Sequence, residues 1–131
     1  MDKSPLVTEQ IEAGEWLIHE FEKRIPVQAA FWLRERDSDV WFLYLASDQI
    51  NDSTIDRAYR EVMRIVQPPQ SLWLDPFQVK VVSADSAVAK AAVDRMKKYG
   101  NRFGTYYPGR EFGGLSVDEA YIYSLPLATS T

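Results

Sequence analysis

Two neighbouring segments of the chain, 27–34 and 40–46, are apolar at most positions, and this pattern constrains the fold more than any other feature. Both are rich in aromatic and β-branched residues. The stretch between them contains Asp37, Ser38 and Asp39, which is typical of a hairpin turn. Because successive side chains of a strand point to opposite faces, neither face of this hairpin is cleanly polar. We therefore expect both faces to be covered, by helices on one and by the C-terminal tail or a second subunit on the other.

The N-terminal segment has the periodicity of an amphipathic helix. Ser4 and Pro5 are typical of an N-cap and a first helical position, and Pro26 ends the pattern. Apolar residues recur at spacings of three and four, which predicts one stripe facing the core. That stripe consists of Val7, Ile11, Gly14, Ile18, Phe21 and Ile25, flanked by Leu17.

Three further elements follow the hairpin. Ser53 and Asp56 have the spacing of a capping box, and helical periodicity continues to residue 66. Residues 77–81 alternate like a strand, and a third helix is predicted over 86–99. Its core face would consist of Val88, Ala89, Ala92, Met96 and Tyr99.

The C-terminal region predicts one or two more strands. Pro108 and Gly109 suit a type II turn, and residues 119–125 alternate like a strand. The predicted order is αββαβα followed by one or two strands. We therefore expect a single α+β domain over residues 1–131, with a mainly antiparallel sheet of four or five strands and three helices packed chiefly on one face.

Composition excludes several chemistries. The chain has 131 residues, no cysteine and one histidine, His19, so neither a thiol enzyme nor a histidine-based metal site can be built. Nucleotide-binding glycine motifs and a serine nucleophile elbow are also missing from the sequence. We therefore expect a non-catalytic protein without a cofactor. No membrane span or export signal is predicted, and the lack of cysteine favours a reducing cytoplasm.

One enzymatic alternative stays open. Asp75 and the triplet Gln78-Val79-Lys80 are superficially similar to magnesium-dependent nucleases, in which an acid and a [DEQ]-x-K strand hold the metal ion. The order of those elements would require Asp48 as the acid. An ordinary strand with one outward lysine is the favoured explanation of the triplet, because such short motifs match by chance. This alternative would use Asp48, Asp75 and Lys80 in a carboxylate-based or magnesium-dependent site.

Segment 90–110 is the strongest candidate for a ligand surface. The whole chain has a net charge of −4, yet this segment carries six basic side chains against one acidic. Basic and aromatic residues alternate there, which suits single-stranded nucleic acid or a phosphorylated ligand. A helix C-terminus and a packed hairpin would give the same composition. The candidate binding residues are Lys97, Lys98, Arg102, Tyr106, Tyr107 and Arg110.

The four tryptophans favour an interaction with another protein or with a second copy of the chain. Trp16, Trp32, Trp41 and Trp73 exceed what a small core needs, although core packing explains each one singly. We predict an interface that contains Trp32, Trp41 and Tyr44. The function that the sequence favours is a binding or interaction module whose partner is a second copy of the chain or another protein.

The second predicted helix carries three arginines, Arg57, Arg60 and Arg64, on its polar side. A solvated helix face explains them, with Arg57 and Glu61 paired across one turn.

The stretch 25–52, IPVQAAFWLRERDSDVWFLYLASDQIND, resembles a group of small bacterial proteins with no assigned activity. The group has a helix, a P-V-x-A-A-F-W strand and a second strand ending in A-S. The resemblance covers this part of the chain only. It implies a bacterial cytosolic protein and carries over no functional residue.

Overall fold

The computed structural model of the chain describes residues 6–67, 73–98 and 105–125, and for 105–110 it describes the backbone. The helices are α1 (Thr8–Phe21), α2 (Ile55–Ile65) and α3 (Ala87–Lys98), and a short 3₁₀ turn spans Pro76–Gln78. The strands are β1 (Ala29–Glu35), β2 (Trp41–Ser47), β3 (Val79–Ser83), β4 (Thr105–Phe112) and β5 (Leu115–Ile122). The α+β class and the approximate element order are confirmed.

The five strands form one mixed sheet in the order β3-β2-β1-β5-β4. Three neighbouring pairs are antiparallel, as expected from the hairpins, but β2 and β3 run parallel. The parallel pair arises because α2 connects the end of β2 to the start of β3, and a strand that follows such a crossover helix enters the sheet in the same direction. The sheet is therefore not purely antiparallel.

One face of the sheet packs against α1 and α2. Every second residue of β1 and β2 points to this side, and the helices cover these residues with their own apolar stripes. The predicted stripe of α1 is largely confirmed, because Gly14, Leu17, Ile18 and Phe21 are buried. The larger side chains of this core are Leu17, Ile18, Phe21, Trp32, Trp41, Leu43, Leu45, Val62, Val81, Tyr121 and Tyr123.

The other face packs against α3. Ala89 and Ala92 of α3 are buried against the remaining side chains of β1 and β2 and against β5. Phe31 and Tyr44 stack there with ring centroids 5.2 Å apart. The three helices thus lie on both faces rather than chiefly on one. The hairpin that lacks a polar face is covered within the chain, because α3 packs on its second side, where the sequence predicts the tail or a second subunit.

A close contact joins α1 to the sheet. The Trp32 indole Nε1 donates to the Tyr123 hydroxyl at 2.9 Å, and that hydroxyl donates to the carbonyl oxygen of Ile11 at 2.7 Å. The pair fits against the helix only because residue 14 is glycine. A Cβ atom placed on Gly14 would lie 2.2 Å from the Tyr123 hydroxyl oxygen and 3.1 Å from Trp32 Nε1.

The turn between β4 and β5 is formed by Gly113 and Gly114, both with positive φ. The turn that the sequence predicts at Pro108 and Gly109 is not formed, and both residues lie inside β4. The two consecutive glycines adopt the left-handed conformations more readily than a Pro-Gly pair allows, because proline fixes φ near −65°. Gly113 also contacts the first turn of α3 at Ala87, so this turn holds the hairpin against the helix.

The helix starts differ from the sequence prediction in detail. The N-cap of α2 is Thr54, without a side-chain capping bond, so the capping box of Ser53 and Asp56 is not formed. At the start of α1 the Gln10 side chain accepts a hydrogen bond from the backbone N–H of Val7 at 3.2 Å. Ser4 and Pro5 lie outside the described residues.

Candidate docking surface

The three side chains predicted for an interface lie in the interior. Trp32 is fully buried under α1, and Trp41 and Tyr44 are also buried. Their polar atoms and rings are used internally: Trp32 bonds to Tyr123, and Tyr44 stacks on Phe31. Burial raises the pKa of the Tyr44 phenol, and the carboxylate of Glu35 adds to this shift. These residues are core residues because the helices occupy both sides of the hairpin.

The predicted basic segment is divided between two elements. Lys97 and Lys98 are exposed at the C-terminal end of α3. The backbone of β4 contains Tyr106, Tyr107 and Arg110, which pair with Tyr121, Ala120 and Val117 of β5. Arg102 lies outside the described residues. The structure therefore shows where Lys97 and Lys98 lie, and nucleic-acid binding by this segment stays a prediction.

The residues of the magnesium alternative do not come together. Asp48 follows the C-terminal end of β2, whereas Asp75 precedes the N-terminal end of β3. Since β2 and β3 are parallel and in register from Leu43 and Val79 onward, these two acids lie at opposite ends of the strand pair. The Lys80 ammonium nitrogen lies 4.5 Å from the centroid of the Phe42 ring. Within the described ranges, no group of three or more histidine or acidic side chains could hold a metal ion.

Arg34 is a buried arginine at the hairpin end of the sheet, and its partners are partly exposed. Its guanidinium lies 3.4 Å from the Asp118 carboxylate and 3.6 Å from that of Glu119, and it donates to the Ser38 carbonyl oxygen at 3.3 Å. Its Nε has no hydrogen-bond partner among the described residues. Asp118 occupies the bulge where the pairing of β1 and β5 shifts register. These contacts tie the hairpin turn to β5, which is a structural role.

Exposed apolar side chains concentrate around α2 and the 3₁₀ turn. Phe77 is 79% exposed, an unusual value for a phenylalanine, and Met63 is 45% exposed. Tyr59, one helical turn before Met63, is 37% exposed, and Trp73, just before the 3₁₀ turn, is 48% exposed. Scattered exposed apolar residues are ordinary, but a group of them at one place indicates a binding surface.

Met63 and Phe77 lie on opposite walls of a shallow groove between α2 and the 3₁₀ turn. We call it the docking groove; its volume is about 590 Å³. Most of the surface that lines the groove is apolar, and the charged side chains at the groove belong to α2. The lining residues are Arg60, Met63, Arg64, Val66, Gln67, Pro76 and Phe77.

Hydrogen bonds hold the 3₁₀ turn that carries Phe77 in place. The Asp75 carboxylate accepts a hydrogen bond from the backbone N–H of Phe77 at 2.9 Å, and Pro76 takes the first position of the turn. The Gln78 side chain donates to the Trp41 carbonyl oxygen at 3.3 Å, which attaches the turn to β2. The exposed ring is therefore presented by a fixed backbone.

The helix α2, which forms the other wall, is anchored to the hydrophobic core and to β3. Ala58, Val62 and Ile65 are buried in the core, and the Tyr59 hydroxyl accepts a hydrogen bond from the backbone N–H of Val81 at 3.3 Å. Val81 lies on β3, the edge strand, so this bond satisfies an outward N–H that the sheet leaves without a partner. The helix is thus fixed against the edge of the sheet.

Ion pairs on α2 differ from the predicted ones. Glu61 contacts Arg64 and also lies 3.5 Å from Arg24, which follows α1, instead of pairing with Arg57. The hydrogen bond to Glu61 raises the pKa of Arg64. Neither Arg57 nor Arg60 forms an ion pair with a carboxylate in the part of the chain that the structure describes.

Comparisons with protein-family models, with curated proteins and with solved structures found no match for this chain. The resemblance of residues 25–52 to a bacterial group therefore stays a prediction. Among the described residues, no helix has the length and apolar character needed to span a membrane.

Proposed function

We propose that this chain is a non-catalytic protein-interaction module that binds a segment of another protein in the docking groove. The observation that carries the proposal is the 79% exposure of Phe77 on a fixed turn opposite Met63. The absence of cysteine supports a reducing cytoplasm as its place of action.

Energetics support binding at this position. Complete burial of a phenylalanine or methionine side chain contributes about 1.5–3 kcal/mol each, so covering Met63 and Phe77 would be favourable. Most of the binding energy of an interface comes from a few anchors of this kind. Because the Asp75 bond and Pro76 already fix the turn, little conformational entropy has to be lost when a partner binds.

The size of the groove favours a short segment over a second copy of the chain. A stable dimer buries roughly 20–30 residues on each side, whereas the docking groove is lined by seven. Grooves that bind peptides do so through a few apolar anchors of the peptide. The residues first predicted for a dimer interface are buried and do not enlarge this surface.

The test uses a displayed library of random twelve-residue peptides, selected on the immobilised protein. We expect enrichment of peptides with a large apolar residue. Their affinity for a Phe77→Ala variant should fall by about tenfold or more, the effect typical of an anchor residue. The variant should unfold at the same temperature as the unmodified protein, because Phe77 contributes almost no buried surface.

Val40→Ala is the matched control, since Val40 is 41% exposed and does not line the groove. Selected peptides should bind this variant unchanged. If no peptide is enriched, or if those enriched bind the Phe77→Ala variant as tightly as the unmodified protein, the groove is not a docking site. A dimer in light scattering that dissociates on Phe77→Ala would also overturn the proposal in favour of self-association.

A further inference from the structure

We infer that the partner segment is acidic, with at least one carboxylate beside its apolar anchor. This inference rests on the proposed function and adds the chemical class of the partner. It follows from Arg57 and Arg60, two arginines of the same helix that form no ion pair with a described carboxylate.

The charge of this helix face is opposite to that of the protein. The chain has a net charge of −4, and residues 1–66, which include α2, carry 13 acidic against 8 basic side chains. Arg60 lines the apolar groove and Arg57 lies one turn earlier on the same helix, and neither forms an ion pair with a described carboxylate. A segment that brings its own carboxylates would supply the missing partners.

Two of the nearby acids are engaged elsewhere, and Asp56, four residues before Arg60 in the first turn of α2, forms no ion pair with either arginine among the described residues. Glu61 contacts Arg64 and Arg24, on the side of α2 that faces α1. Asp75 accepts the backbone N–H of Phe77 across the groove. Arg60 is therefore the cationic group at the groove that remains available among the described lining residues.

Geometry favours Arg60 as the principal contact. Arg60 precedes Met63 by three residues and lines the groove with it, so both belong to the same stretch of the helix surface. Arg57 lies one turn earlier, about 4.5 Å along the helix axis. A carboxylate close to the anchor would reach Arg60, and a second one would reach Arg57. A guanidinium can bind a carboxylate through two parallel hydrogen bonds, which gives directional preference as well as attraction.

The experiment measures the affinity of the tightest selected peptide by fluorescence anisotropy, at low salt and at high salt. An Arg60→Glu variant should bind about tenfold more weakly at low salt, because an attractive charge becomes a repulsive one. Lys90→Glu is the control: it changes the net charge equally, but Lys90 is exposed on α3, across the sheet. This variant should stay within about twofold of the unmodified protein.

A second peptide, in which each Asp is replaced by Asn and each Glu by Gln, completes a double-mutant cycle between the protein and the peptide. The amide peptide should bind more weakly than the acidic peptide, and its affinity should depend less on salt. Its affinities for the Arg60→Glu variant and for the unmodified protein should be equal. Thermal unfolding of each variant verifies that the fold is intact, since Arg60 and Lys90 are both exposed.

The two proposals fail in different ways. If selected peptides depend on Phe77 but are not enriched in acids, or if Arg60→Glu and Lys90→Glu have equal effects, the acidic partner is excluded and the docking groove stands. If binding is insensitive to Phe77→Ala, both proposals fall. Binding to vesicles with 30% phosphatidylserine that is lost on Arg60→Glu, without any selected peptide, would overturn both in favour of an anionic membrane surface.

Discussion

Replacing Gly113 with alanine is expected to destabilise the protein by about 3 kcal/mol. Two costs combine. Gly113 has φ +57°, a left-handed conformation that costs an L-residue roughly 1–2 kcal/mol. In addition, the new Cβ would lie 2.3 Å from the carbonyl carbon of Ala87 and 2.6 Å from the backbone nitrogen of Val88. Because both are backbone atoms of α3, the helix or the hairpin has to move, and such overpacking costs about 1–3 kcal/mol.

Gly114 provides a matched control for this substitution. It also has a positive φ, +85°, but a Cβ placed there meets no atom within 4 Å. Gly114→Ala should therefore cost only the conformational part, roughly 1–2 kcal/mol. Chemical denaturation measures both values. Equal losses of stability for the two variants would show that the contact between Gly113 and α3 is absent.

Replacing Gly14 with alanine is expected to destabilise the protein by about 2 kcal/mol, although alanine is the better helix former by about 1 kcal/mol. The Cβ would lie 2.2 Å from the Tyr123 hydroxyl oxygen, so Tyr123 has to move. Its movement would break the hydrogen bonds from Trp32 Nε1 and to the Ile11 carbonyl oxygen, and an unsatisfied buried polar group costs about 1–3 kcal/mol.

A double substitution separates steric from other effects at Gly14. Tyr123→Phe removes the oxygen with which the Cβ collides, and the closest remaining contact would be Trp32 Nε1 at 3.1 Å. Gly14→Ala should therefore cost at least about 1 kcal/mol less in the Tyr123→Phe background than alone, as expected for residues in direct contact. Additive effects of the two substitutions in denaturant unfolding would contradict the packing described for α1.

Much of the fold could be predicted because local patterns specify it. The stripe of α1 gave the correct core face, and the two apolar segments gave β1 and β2 within two residues of their observed bounds. These features depend on periodicity, which a single segment contains in full. The apolar hairpin also indicated correctly that both sides of the sheet are covered.

The relative placement of the elements could not be predicted in the same way. Nothing in the sequence of β3 states that it runs parallel to β2, since direction depends on the path of α2 across the sheet. Likewise, the alanines of α3 show that the helix packs closely but not which face it covers. The buried position of Trp32 could not be predicted, because its hydrogen-bond partner Tyr123 is distant in sequence.

The candidate site was missed for a related reason. Phe77 begins an alternating apolar pattern that predicts a buried position in β3, but the strand starts at Val79. The signal available in the sequence is Asp75 followed by Pro76, a cap and a first position that predict a short turn before the strand. The three arginines of α2 were identified, but the groove beside them depends on tertiary structure.

The most direct test of the docking groove is nuclear magnetic resonance of the ¹⁵N-labelled protein titrated with the tightest selected peptide. The amide resonances that should shift most are those of the groove-lining residues that carry a backbone N–H, which are Arg60, Met63, Arg64, Val66, Gln67 and Phe77. Shifts confined to residues 97–98 and 105–112 would contradict the account, since the peptide would then bind at the end of α3 and at β4.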